Sequence, residues 1–114
     1  MAENATKLVT ALDVDSIAEA LCVVDTIGSE VEWYKVGKQL FTREGPALLK
    51  ALKERNKKIF LDLKYHDIPN TVGAAVRSAA AIGADLINVH ALGGLTMLKS
   101  AREAADECGV NVIA

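Results

Sequence analysis

Asp62, Lys64 and Asp67 carry alternating charge within six residues, and Lys35 sits in a short apolar run upstream. Residues two apart on a strand point to one face. Asp62 and Lys64 therefore face together if the run from Lys58 to Leu63 is extended and continues. Lys35 belongs to the run that would form the neighbouring strand. Ionised groups in apolar strands cost several kcal/mol each unless they are paired. A purely structural salt-bridge network is one explanation, but such networks rarely repay their desolvation. A chemical use is easy to state. A carboxylate held beside a substrate anion destabilises it until that charge is lost, and a neighbouring ammonium can protonate the carbanion that remains. The arrangement suits decarboxylation without a cofactor, through preorganised charge in a site that excludes water.

These residues need a scaffold, and the chain shows its rhythm. Apolar runs cover Lys7 to Leu12, Trp33 to Val36, Lys58 to Leu63 and Leu86 to His90, and a last run opens at Asn111. Their starts are 26, 25, 28 and 25 residues apart. Helical patterns fill the intervals, which predicts consecutive βα units and a parallel sheet. Continuous runs predict strands covered on both faces. Ligand and catalytic groups in such folds sit at the C-terminal strand ends. Asp13, Lys35, Asp62 with Lys64, and His90 all fall there.

Helix signals agree. Ser16-Ile17-Ala18-Glu19 reads as a capping box, with Ile17, Ala20, Leu21 and Val24 on one face and Gly28 as its stop. Pro46 suits the first turn of the second helix, above Leu48, Leu49 and Leu52. Asn70 or Thr71 can cap the third, which stops at Gly83. Gly93-Gly94 opens the fourth, which ends at Gly109. Asp15 reads as a helix-cap residue, and Lys38 as a solvated residue in the loop after the second strand. Trp33 reads as packing at the start of that strand, His66 as solvent-facing or packing, and His90 as a satisfied structural histidine.

Composition narrows the class. The chain has 114 residues, 51 % of them apolar but only 4 % aromatic, and 18 are Ala. The core is therefore built from small aliphatic side chains. A net charge of −2 favours neither nucleic acid nor an anionic membrane. No run approaches the roughly 18 apolar residues of a membrane span. The first four residues, Met1 to Asn4, lack the apolar core of a secretory signal. Cys22 and Cys108 are expected as reduced, buried thiols of a cytoplasmic protein, and the Cys and His spacings form no zinc motif. A closed (β/α)8 barrel takes about 250 residues. Four βα units and the start of a fifth strand are half of one, and are also nearly a five-unit open sheet.

The segment Asp62-Leu63-Lys64-Tyr65-His66-Asp67-Ile68-Pro69-Asn70-Thr71-Val72 resembles the signature of the orotidine 5′-phosphate decarboxylase family, Asp-x-Lys-x-x-Asp followed by Ile-Pro-Asn-Thr. Tyr34 to Phe41 with Glu44-Gly45-Pro46, Ala11-Leu12-Asp13, and Asn88 to Ala91 with Gly93-Gly94 are similar to other family segments in the same order. The resemblance implies an α/β fold, with residues 1–114 as a single incomplete domain, the N-terminal half of a TIM-type barrel. It implies conversion of orotidine 5′-monophosphate to uridine 5′-monophosphate in pyrimidine biosynthesis, with no metal and no organic cofactor. Asp62 would sit against the substrate carboxylate and Lys64 would protonate C6. Lys35 would contact the ribose and order the charges, and Asp13 would hydrogen-bond the ribose. Asp67 and Thr71 would reach the neighbouring subunit's site in a homodimer. The family's phosphate-gripping residues lie on later strands, beyond this match. Remote binding energy of that kind drives chemistry, so the chain alone is expected to be nearly inactive.

Three other readings stand beside this one. A related branch of sugar-phosphate decarboxylases and aldolase-like synthases resembles the same Asp-x-Lys-x-x-Asp core, in some members with a divalent metal. A phospho-accepting receiver domain fits the length, the (βα)5 rhythm, Asp13, Asp15 and Asp62. An inactive half-barrel with unpaired strand edges is expected to self-associate.

Overall fold

Five parallel strands pair in chain order, and that order decides between the architectures the rhythm left open. The computed structural model describes residues 5–114; Met1 to Asn4, on which the signal-peptide expectation rests, lie outside them. The strands are β1 (Val9–Ala11), β2 (Trp33–Gly37), β3 (Lys58–Tyr65), β4 (Leu86–Val89) and β5 (Asn111–Ile113). They form one sheet in the order β1-β2-β3-β4-β5. Receiver domains are wound in the order 2-1-3-4-5, so that reading is overturned. A sequential parallel sheet is the arrangement found along a (β/α)8 barrel wall.

The helices are α1 (Ile17–Ile27), α2 (Lys38–Glu44), α3 (Pro46–Glu54), α4 (Pro69–Ala81) and α5 (Leu95–Cys108). Ser16 caps α1, its Oγ accepting the Glu19 N–H at 3.1 Å. Asp15 is not the cap. Its carboxylate accepts from Gln39 Nε2 at 2.8 Å and lies 3.6 Å from Arg43. Glu44 accepts the Ile17 N–H at 2.8 Å, so α2 fastens the segment that follows Asp13. Lys38 opens α2 rather than lying in a loop, though it is exposed as expected. That helix buries only Leu40, so it shows no apolar stripe in the sequence. Pro46 starts α3. Pro69 starts α4, with Ile68 in the cap position instead of Asn70 or Thr71. Proline pre-sets φ for the first helical turn and gives up no needed donor there.

One face of the sheet is packed. Tyr34, Val36, Ile59, Leu61, Ile87 and Val89 are buried among Leu48, Leu49, Leu52, Val72, Val76 and Met97 from the helices. The strand registers place Ala11, Lys35, Phe60, Leu86 and Asn111 in one row on the other face. That face is not covered as the continuous apolar runs predicted. Val9, Trp33, Leu86 and Ile113 line an open apolar cavity of about 370 Å³ on it.

The cysteines depart from expectation too. Cys22 and Cys108 are both exposed. The buried positions of α1 are Ala20 and Val24, and Cys22 falls between them on the solvent side. Cys108 lies in the last turn of α5, before the left-handed Gly109 that ends the helix. Among the described residues no helix is long and apolar enough to cross a membrane.

Candidate active site

The open face becomes charged toward the C-terminal strand ends. Gly37 pairs with Asp62, two residues beyond the Lys35–Phe60 pair and on the same face, so Lys35 reaches Asp62 diagonally across the sheet. Gly37 offers no side chain there, and Asp62 lies beside Lys35 Nζ at 3.5 Å through Oδ2. The other carboxylate oxygen, Oδ1, accepts from Lys64 Nζ at 2.7 Å. Asp62 is therefore held between two ammonium groups. Its side chain is 11 % exposed, whereas that of Lys64 is 52 % exposed. The carboxylate forms the floor of the cluster and the Lys64 side chain lies half exposed above it.

Burial alone would raise the Asp62 carboxyl above its ordinary value. Hydrogen bonds from Lys64 and Asn88, with the charges of Lys64 and Lys35, outweigh burial and hold it below that value. Asp62 is thus anionic near neutrality. An anion fixed on rigid strands can oppose a second anion brought against it.

The other expected residues sit around this cluster rather than in it. Asp13 is exposed beyond the end of β1. Asp67 is exposed in the loop after β3, and its carboxylate accepts the N–H of Ile68 at 2.7 Å. It does not join the network of Lys35, Asp62 and Lys64 in this chain. Thr71 is exposed in the first turn of α4. Of the four alternating charges, Lys35, Asp62 and Lys64 meet and leave one positive charge in excess, and Asp67 stands apart.

His66, read from the sequence as solvent-facing or packing, and His90, read as a structural histidine, gain their partners here, and Asn88 gains a role the sequence did not assign. The rings of His66 and His90 stack, with centroids 4.7 Å apart and planes 24° apart. His90 Nδ1 accepts the Leu92 N–H at 3.2 Å, and its backbone N–H donates to the Tyr65 carbonyl at 2.8 Å. The pair ties the loop after β3 to the turn after β4. Asn88, on β4, donates to Asp62 and accepts from the Lys64 backbone. In the sequence it is one polar residue in an apolar run, and only the pairing of β3 with β4 shows its reach. Among the described residues no three His, Cys, Asp or Glu side chains are grouped to hold a metal ion.

The comparisons with known proteins bear on this site. A family model described as "Orotidine 5'-phosphate decarboxylase / HUMPS family" matches residues 6–114. The orotidine 5'-phosphate decarboxylase of Alkalilimnicola ehrlichii is 53 % identical over 103 residues, 90 % of this chain and 44 % of the relative. That of Nostoc sp. is 50 % identical over 101 residues, 89 % of this chain and 42 % of the relative. Among solved structures, orotidine 5'-phosphate decarboxylase from Lactobacillus acidophilus superposes with a TM-score of 0.82 at 39 % identity. It covers 91 % of this chain, and the match takes in 46 % of that structure. An uncharacterized conserved protein from Geobacillus kaustophilus superposes at 0.81 with 45 % identity, over 86 % of this chain and 46 % of its own. The chain therefore spans less than half the length of these relatives.

Proposed function

Since this chain belongs to the orotidine 5'-phosphate decarboxylase / HUMPS family, we propose that its charged cluster serves the decarboxylation of orotidine 5′-monophosphate to uridine 5′-monophosphate. The observation that carries the reading is Asp62, buried and anionic, gripped at 2.7 Å by the ammonium of a half-exposed lysine side chain. The substrate carboxylate at C6 lies against Asp62, and two like charges in a site of low effective dielectric repel strongly. The C6–carboxylate bond breaks, carbon dioxide leaves, and the electron pair stays on C6. Lys64 Nζ gives that carbon a proton and is reprotonated from water. Lys35 holds the second oxygen of Asp62 and orders the charges around the ribose. Asp13 hydrogen-bonds a ribose hydroxyl. No step uses a metal or an organic cofactor.

Asp67 and Thr71 belong, in this reading, to the site of a second subunit. Support comes from their place on an exposed loop and helix start, outside their own chain's cluster. Ile68, Leu92 and Leu95 are also exposed, in the connections after β3 and β4, and large apolar side chains at one rim mark contact surfaces. The assembly is a homodimer of the cytoplasm, where pyrimidine synthesis would use it. A self-associating half-barrel is the alternative for the chain by itself.

A second reading keeps the fold and takes a sugar phosphate with a divalent metal, since the matching family description spans more than one activity. Ile68-Pro69-Asn70-Thr71 and the names of the curated relatives favour the nucleotide. The test supplies the stretch outside the match, by replacing the matching part of the Alkalilimnicola relative with residues 6–114. The expected result is release of carbon dioxide from orotidine 5′-monophosphate, undiminished by a chelator. A folded chimera that is inert toward this nucleotide, or that requires a divalent metal, would overturn the reading. A chimera that sediments as a monomer would remove the dimer from it.

A further inference from the structure

Near the end of β3 the strand breaks its pairing with β4. Leu61 pairs with Ile87 and Tyr65 with Val89, so Asp62, Leu63 and Lys64 together oppose Asn88 alone. A bulge leaves backbone groups of the longer strand without ladder partners and re-aims its side chains. Lys64 carries the cost, with a φ of 53° in the left-handed region. Lysine has no local means of stabilising that conformation, which favours glycine.

Asn88 meets both consequences of the bulge. Its Oδ1 accepts the orphaned Lys64 N–H at 2.9 Å, and its Nδ2 donates to Asp62 Oδ1 at 2.6 Å. The neighbours dictate the orientation of the carboxamide, because an N–H requires the oxygen and a carboxylate requires the amino group. The oxygen that Nδ2 grips is the one that Lys64 Nζ reaches. We infer that Asn88 is a positioning residue: its carboxamide bridges the bulge, holds Lys64 in the left-handed conformation, and so delivers the ammonium to Asp62. Its use in catalysis rests on the proposed reading of Asp62 and Lys64, while the bridge itself does not. Alanine at this position offers neither contact. Aspartate keeps the acceptor for Lys64 and sets a second carboxylate against Asp62.

Amide hydrogen exchange of the 15N-labelled chain near neutral pH tests the bridge without any turnover. In Asn88→Ala the Lys64 amide is expected to exchange roughly tenfold faster, the worth of one such bond. In Asn88→Asp it is expected to keep its protection. The Leu12 amide, which donates to the Lys35 carbonyl, reports an intact sheet in both. Unchanged protection of Lys64 in Asn88→Ala overturns the inference, and so does equal loss in both variants with Leu12 still protected. If Asn88→Ala does not fold, the Asp62 carboxyl titration in Asn88→Asp decides. An upward move supports the bridge and no move overturns it. Failure of the chimera to decarboxylate would sink the proposed reaction and leave these exchange results standing.

Discussion

Asp62 and Lys64 lie two residues apart on β3 and meet side chain to side chain at 2.7 Å, with the lysine backbone in a left-handed conformation. Ordinary strand alternation already puts residues two apart on one face. The bulge then changes how far the second projects. The result is a buried anion and an accessible proton donor on neighbouring atoms.

The acid behaviour of Asp62 follows from its partners. Its folded-state carboxyl is held below the unfolded value. Its contribution to stability is therefore fully present above the ordinary carboxylate value, about 3.9, and is lost as pH falls through the folded value. Urea unfolding should find the chain more stable than Asp62→Asn near neutrality, with the gap closing below about pH 4. A gap that stays constant down to acid pH would show that the charge of Asp62 contributes nothing.

Tyr34 predicts an unusual sign. The side chain is fully buried between sheet and helices, and its hydroxyl has no hydrogen-bond partner among the described residues. A buried unsatisfied hydroxyl costs about 1–3 kcal/mol. Tyr34→Phe should raise unfolding stability by about 1 kcal/mol, after the small void is counted. A loss of stability on denaturant unfolding would mean that the hydroxyl is satisfied in solution.

Both thiols should be reactive in the native chain. Cys22 and Cys108 are exposed, and accessible thiols alkylate at rates set by their thiolate fraction. Intact-mass measurement after mild alkylation should find two additions without unfolding. One addition or none would place a thiol back in the interior.

Much of this was legible in the chain itself. Strand spacing near 26 residues predicts βα units, and the spacing of Asp62 and Lys64 predicts that they share one face of a strand. The order of pairing was not legible, because rhythm is the same in a barrel wall and a doubly wound sheet. Cys22 was misplaced because apolar neighbours in sequence are not neighbours on a helix face: Ala20 and Val24 point inward and Cys22 does not. The helix from Lys38 to Glu44 was missed because Leu40 is its single buried residue. Asn88 and the stack of His66 on His90 depend on contacts between β3 and β4 or the segments that follow them. No local pattern carries such contacts.

The role of Lys64 as proton donor is tested by the Lys64→Ala variant of the chimera that joins residues 6–114 to the rest of the Alkalilimnicola relative. The readout is carbon dioxide released from orotidine 5′-monophosphate. Removing Lys64 should lower the rate by at least about a hundredfold, the scale of general acid catalysis, in a protein that remains folded. A folded Lys64→Ala chimera that releases carbon dioxide as fast as its parent would contradict that role.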